Sequence, residues 1–364
     1  MTGSTQRDHR TWKRLARWTT VGALGVAGVV GAELALIGGG LLRAALKFPE
    51  PIDDGPDPLL APPSHTMRSS VVGTPDGTLL HVTASGDLDD SDEVVVLIHG
   101  WTCNTSFWNA QLNHWAGRRP VVAYDHRGHG LSELGRTRPT VEMLGQDLQA
   151  VLEAMVPEGK RAVLVGHSMG GMTIMSWAQQ YGAGMEDRVS GIVLVSTAAR
   201  DVIQRQQLTP SSLPAITEPV KPLVARLFTS APTPLPSNEL TSRLSHYVAV
   251  GPVARKAHVD FCDEMISACS PKARAAWGAA MYHLDVLSGL DKVTVPTAVV
   301  VGTADLLTAP DHADEMARAL SSRGFLHSYT RYEGAGHMVP FERGAELNAL
   351  LDEVLADVSE ATGS

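Results

Sequence analysis

One short stretch constrains this chain more than any other. A buried-type apolar run, Ala162–Val165, passes into Gly166-His167-Ser168-Met169-Gly170 and then into a segment of helical pattern. A serine held there sits on a sharp strand-to-helix turn, where close backbone packing requires glycine on either side. Its hydroxyl then projects above a sheet, and the helix N-terminus favours negative charge developing nearby. A strand feeding such a turn belongs in a parallel sheet, so the rest of the chain must supply neighbouring strands and covering helices.

The pattern from about residue 67 supplies them. Met67–Val72 and Thr78–Ala84 flank the turn signal Thr74-Pro75-Asp76-Gly77, predicting an opening hairpin. Val94–Ile98, Val121–Tyr124 and Gly191–Val195 are short apolar runs of the kind a parallel sheet buries on both faces, and Val141–Met155 has helical periodicity. Residues 199–285 break the alternation with a proline-rich stretch and helix-like segments near 239–250 and 253–282. It resumes with Thr297–Val301, a helix near 310–321, a strand near 327–332 and a helix near 342–357. The expected organisation is a basic segment with a hydrophobic anchor over 1–48 and a Pro/Asp-rich linker over 49–66. A core over 67–198 and 286–364 follows, interrupted by a helical cap over 199–285 that overlies the C-terminal edge of the sheet, where ligands bind.

Residues 19–42 are almost wholly apolar or glycine, with Glu33 the single charge. Twenty-four residues of helix span roughly 36 Å, enough to cross a hydrocarbon core. Five cations precede the run, so the positive-inside rule places the N-terminus in the cytoplasm and the body outside, with Trp12 and Trp18 near the interface. The expectation is a single-pass membrane anchor, with secretion after cleavage near Val30-Gly31-Ala32, or a helix lying against the protein or the membrane surface, as the alternatives.

Net charge is −9, of which residues 1–47 carry +5, leaving −14 for the body. An acidic body repels phosphate backbones, which argues against a nucleic-acid partner. The three cysteines, Cys103, Cys262 and Cys269, have no metal-ligand spacing and read as small apolar fillers. No cofactor or metal motif is present.

A serine hydroxyl needs a base, and the base needs a carboxylate to hold its tautomer. Gly334-Ala335-Gly336-His337 follows the last predicted strand, where glycines let a loop carry the imidazole over the sheet. Val299-Val300-Val301-Gly302-Thr303-Ala304-Asp305 sets Asp305 just past a buried strand. Asp311 and Asp285 are fallback acids. The order Ser168, Asp305, His337 suits a nucleophile elbow. Two backbone N–H groups are expected to form an oxyanion hole: Met169, after the nucleophile, and Trp101, in the His99-Gly100-Trp101-Thr102 loop. His99 reads as a loop-fixing residue.

With Asp125-His126-Arg127-Gly128-His129-Gly130-Leu131-Ser132 added to these segments, residues 67–360 resemble the α/β-hydrolase family, in its serine-nucleophile, capped, esterase-like form. The resemblance implies an α/β fold with a mostly parallel sheet, helices on both faces and a helical cap. It also implies that Asp125, Arg127 and Ser132 belong to a structural loop bordering the site, with no catalytic step. A serine nucleophile sets the chain apart from the members that use aspartate. The expected activity is hydrolysis of a small-molecule carboxylic ester with a lipid-like or other apolar acyl group, suggested by the apolar cap and the anchor, which do not separate a lipid ester from a small aromatic one. A carbon–carbon bond hydrolase, a thioesterase, a cofactor-free haloperoxidase-like enzyme and a non-catalytic binding protein are the alternatives.

Overall fold

The computed structural model describes residues 35–363, apart from residue 116 and residues 210–216, 218–224 and 227–228. The predicted hairpin forms: β1 (Arg68–Gly73) pairs antiparallel with β2 (Leu79–Ser85) across a turn in which Gly77 takes φ +82°. Six further strands follow: β3 (Glu93–Ile98), β4 (Val121–Tyr124), β5 (Arg161–His167), β6 (Val189–Val195), β7 (Thr297–Gly302) and β8 (Leu326–Tyr332). Their order is β1-β2-β4-β3-β5-β6-β7-β8; β2 meets β4 antiparallel and all later pairs are parallel.

The sheet is covered on both faces, as parallel strands require. All six residues of β3 are buried. Val94, Val96 and Ile98 enter one apolar cluster with Leu144, Leu148 and Trp177, while Val95 and Leu97 enter the other with Trp108, Leu347 and Leu351. The two-residue period of a strand thus becomes two separate cores. The helix predicted over Val141–Met155 begins at its Thr140 cap, whose hydroxyl accepts from the Met143 N–H.

Between β6 and β7 the described chain is helical at Glu239–Ala249, Lys256–Ala268 and Pro271–Met281. One run predicted over 253–282 is therefore two helices, because Pro271 cannot continue the first and instead opens the second behind a Ser270 cap. The last predicted helix, near 342–357, is Gly344–Gly363, and the short helix Val339–Glu342 precedes it. Cys103, Cys262 and Cys269 are free and buried, in keeping with apolar fillers.

The membrane-spanning segment read over 19–42 is corrected. No helix among the described residues is long and apolar enough to cross a membrane. The described end of that stretch lies in a helix over 35–47, which carries Arg43 and Lys47 and buries Ile37 and Ala45. Phe48, just after it, meets the rings of His246 and Tyr247 edge-on. Apolar content alone does not make a span: here part of it serves packing against the protein. The anchored, extracytoplasmic placement falls with the span, and residues 1–34, with Trp12, Trp18, Glu33 and the cleavage-like Val30-Gly31-Ala32, lie outside the described residues.

Candidate active site

Ser168 stands between β5 and the helix Met169–Tyr181, at φ +52° and ψ −115°. A side chain held in that region costs about 1–3 kcal/mol and persists only where its surroundings force it. The force comes from packing behind the turn. A Cβ on Gly170 would lie 2.0 Å from the Ile98 carbonyl oxygen, so only glycine lets the helix start so close to β3. Gly170→Ala is accordingly expected to cost several kcal/mol, read as loss of soluble protein or a sharply lowered melting temperature.

His337 lies in the loop between β8 and the short helix Val339–Glu342. Its Nδ1–H donates to Asp305 Oδ2 at 2.9 Å, with Thr308 Oγ1 at 3.2 Å sharing the same proton. Asp305 is held in turn: Oδ1 accepts the Leu307 and Thr308 N–H groups at 2.9 Å each, and Oδ2 accepts the Thr308 hydroxyl at 2.8 Å. With Nδ1 donating, Nε2 of a neutral imidazole is left as an acceptor, the state a general base needs. Thr308 was not among the expected residues. Its signal was local, an Asp followed three residues later by Thr, a common side-chain turn.

Ser168 and His337 are joined through the residue between them. His167 Nε2–H donates to the His337 carbonyl at 2.9 Å, and the two rings lie 4.8 Å apart. His167 also stacks on Phe107, and burial, then the nearby His337, holds it well below its ordinary pKa and neutral. The Ser168 hydroxyl has no hydrogen-bond partner among the described residues, and Ser168 is 8% exposed.

The predicted donor loop reaches the same place. A Cβ on Gly100 would lie 3.1 Å from Ser168 Cβ, which puts residues 99–101 against the nucleophile turn. Neighbouring N–H groups are engaged: Thr102 donates to His129 Nε2 at 3.2 Å, and Ser168 to the Val195 carbonyl at 3.0 Å. The Trp101 and Met169 N–H groups have no partner among the described residues. His99 fixes the loop as expected: Nδ1–H donates to the Gly100 carbonyl at 2.7 Å and Nε2 accepts the His126 N–H at 3.1 Å. Burial keeps His99, His126 and His129 below their ordinary values, so this layer is neutral packing rather than a source of charge.

The fallback acids are elsewhere. Asp311 pairs with Arg205 at 2.6 Å, and Asp285 accepts the Leu287 N–H. A second serine–histidine–aspartate chain also exists: Ser69 Oγ lies 2.9 Å from His81 Nε2, and His81 Nδ1 2.8 Å from Asp125 Oδ2. Ser69 is exposed within the edge strand β1, with no helix N-terminus after it. Asp125 also accepts the Thr105 and Leu131 N–H groups, and Ser132 donates to its carbonyl, as expected of a structural loop. By hydrogen bonds alone the Ser69 chain is the more complete, since the Ser168 hydroxyl has no partner among the described residues; what sets Ser168 apart is the strained turn and the adjacent Trp101 and Met169 N–H groups, which have no partner among those residues either.

A family model described as serine aminopeptidase, S33, matches residues 89–344. The 3-oxoadipate enol-lactonase 2 of Acinetobacter baylyi is 25% identical over 264 residues, covering 69% of this chain and 84% of that protein. A non-heme chloroperoxidase of Streptomyces lividans is 28% identical over 283 residues, covering 73% and 92%. Among solved structures, a thermophilic esterase from Thermogutta terrifontis superposes with a TM-score of 0.61 at 22% identity, covering 80% of this chain and 99% of that one, a likeness of fold. With the motif segments, the eight-stranded sheet and the family match all agreeing, the chain belongs to the serine aminopeptidase S33 family and is an α/β-hydrolase.

Proposed function

We propose that this chain hydrolyses a carboxylic ester through an acyl-enzyme on Ser168. The observation that carries the reading is the buried Asp305–His337 hydrogen bond beside a serine held at positive φ. In the first step His337 Nε2 takes the Ser168 proton as Oγ bonds to the carbonyl carbon, and the Trp101 and Met169 N–H groups hold the oxyanion. Collapse breaks the bond to the alcohol, which leaves with the proton from His337. Water then repeats the sequence on the acyl-enzyme, releasing the acid and restoring Ser168. No step asks for a metal or cofactor.

Among ester types, a lactone is worth testing because one relative is named for an enol-lactone, and the family's own description suggests a peptide-like amide. The test uses the full chain with p-nitrophenyl esters of increasing acyl length, beside a thioester, an enol-lactone, a β-diketone and an aminoacyl p-nitroanilide. Turnover of the oxygen esters, with an acyl group found by mass spectrometry on the Ser168 peptide after rapid quenching, supports the reading, and the acyl-length optimum sizes the pocket. Turnover of the diketone or anilide alone rejects it.

Thr308→Val keeps shape but removes the hydroxyl between acid and base. Losing one hydrogen bond to a charged group, about 1.5–3 kcal/mol, is expected to lower kcat roughly 10- to 100-fold. KM should stay close to that of the parent in the same ester assay.

A further inference from the structure

From the geometry of the histidine loop we infer that Glu342 is a positioning residue for His337, its carboxylate fastening the backbone on both sides of that histidine to the end of the inserted helix Glu239–Ala249. The inference rests on the reading of His337 as the base.

Glu342 ends the short helix after His337 and is buried. Its Oε1 accepts the Gly336 N–H at 3.1 Å and the Met338 N–H at 3.0 Å; its Oε2 accepts the Gly251 N–H at 2.8 Å and the Gly336 N–H at 3.0 Å. Gly336 and Met338 flank His337, whose own N–H donates to the Ala249 carbonyl at 2.9 Å. All three N–H groups of residues 336–338 are therefore fixed, two by one side chain and one by the last residue of the inserted helix. His246, one turn earlier in that helix, lies 3.2 Å from the Gly251 carbonyl through Nε2.

There is no slack in this junction. A Cβ on Gly251 would lie 2.2 Å from the Gly334 carbonyl and 2.9 Å from Glu342 Oε2. A Cβ on Gly336 would lie 2.4 Å from the Gly251 nitrogen. The backbone at 249–251 and the histidine loop can move only together, with the carboxylate between them.

The choice of a carboxylate is itself informative. Three N–H donors converge on it and no cationic side chain among the described residues pairs with it: Arg343 turns to main-chain carbonyls, while Arg255 and His258 turn to Asp57. Burial pushes the carboxyl up to about 7, against the pull of those N–H groups, so the charge is costly at neutral pH. A neutral glutamine would lower that cost but offers one oxygen in place of two and turns an amide N–H₂ toward N–H donors. An acceptor-only side chain kept here at a cost to stability is accounted for by what it holds in place.

The experiment compares the full chain with Glu342→Gln, in the ester assay and by NMR of histidine labelled with carbon-13 at Cε1, the His337 signal being assigned by its loss in His337→Gln. The expected result is a melting temperature at pH 8 close to that of the parent, kcat lowered at least about tenfold with KM within about twofold, and a displaced or split His337 ring resonance. Glu342→Asp, which keeps the charge but withdraws the oxygens, should show the same kcat loss and gives the answer if the glutamine variant aggregates. Unchanged kcat and an unmoved His337 resonance in a folded variant overturn the inference. If the parent hydrolyses none of the substrates, the function proposed above fails separately, and the His337 resonance still decides whether Glu342 positions this loop.

Discussion

Ser168→Ala is expected to lower ester hydrolysis by about 10⁴-fold or more, the loss that follows removal of a nucleophile from a serine triad. The fold should not change, because alanine keeps the Cβ and the turn is imposed by glycines and by β3. The residue remains at φ +52°, so the strain persists and the melting temperature should stay close to that of the parent. Ser69→Ala is the matched control. Its hydroxyl contacts His81 at 2.9 Å in a chain that copies the order of a triad, yet it lies on an exposed edge strand. That variant should retain activity within about twofold. A large loss in the Ser69 variant with none in the Ser168 variant would move the nucleophile to the hairpin and reject the mechanism. The steady-state rate on the preferred ester, with an active-site titration to count functional molecules, separates these results.

A large effect on stability is expected from Arg127→Ala. The Arg127 guanidinium is buried and grips Asp147 through two bonds, Nε–H to Oδ2 at 2.9 Å and Nη2–H to Oδ1 at 2.6 Å. A third, from Nη1–H, reaches Asp76 Oδ2 at 2.7 Å. These contacts tie the turn of the opening hairpin to the helix Val141–Met155. The Arg127 carbonyl also accepts the Trp277 indole N–H at 2.8 Å, reaching the inserted helices. Asp147 is 1% exposed, and burial already raises its pKa with the arginine present. Removing the cation leaves that carboxylate buried and unpaired, which costs about 3–5 kcal/mol. The double variant Arg127→Met with Asp147→Leu should recover much of the loss, because it removes both charges together. Thermal unfolding of the three proteins tests this. A single variant as stable as the parent would mean that water reaches Asp147 and that the pair is not buried in solution.

Much of this protein was legible along the chain because its signals are local. Buried strands write continuous apolar runs, so β3 to β7 were found nearly at their true limits. The hairpin was marked by Thr74-Pro75-Asp76-Gly77 and the nucleophile turn by its glycines. Asp305 and His337 stand just past strands whose ends were already placed. The structure brings these two together across the 32 positions that separate them.

What was missed or misread depended on distance. The apolar segment over 19–42 satisfied a local rule for a membrane span, but an apolar residue does not record whether lipid or protein will cover it. In the described part, protein covers Ile37 and Ala45. The Ser69–His81–Asp125 chain joins three elements through side chains whose spacing carries no period, and a triad-like order appears there without a nucleophile turn. No local pattern marks Glu342; only folding brings its carboxylate to Gly251, 91 positions away.

By itself, then, the sequence determined the strand-and-helix order, the nucleophile turn and the residue types offered to the site, since each follows from periodicity and backbone sterics over a few residues. Only folding sets the Trp101 and Met169 N–H groups, without partners among the described residues, beside Ser168, puts the Thr308 hydroxyl between Asp305 and His337, and brings the Glu342 carboxylate to the backbone N–H groups on either side of His337. Those placements rest on hydrogen bonds whose partners are chosen by packing, and packing is settled only when the whole core closes.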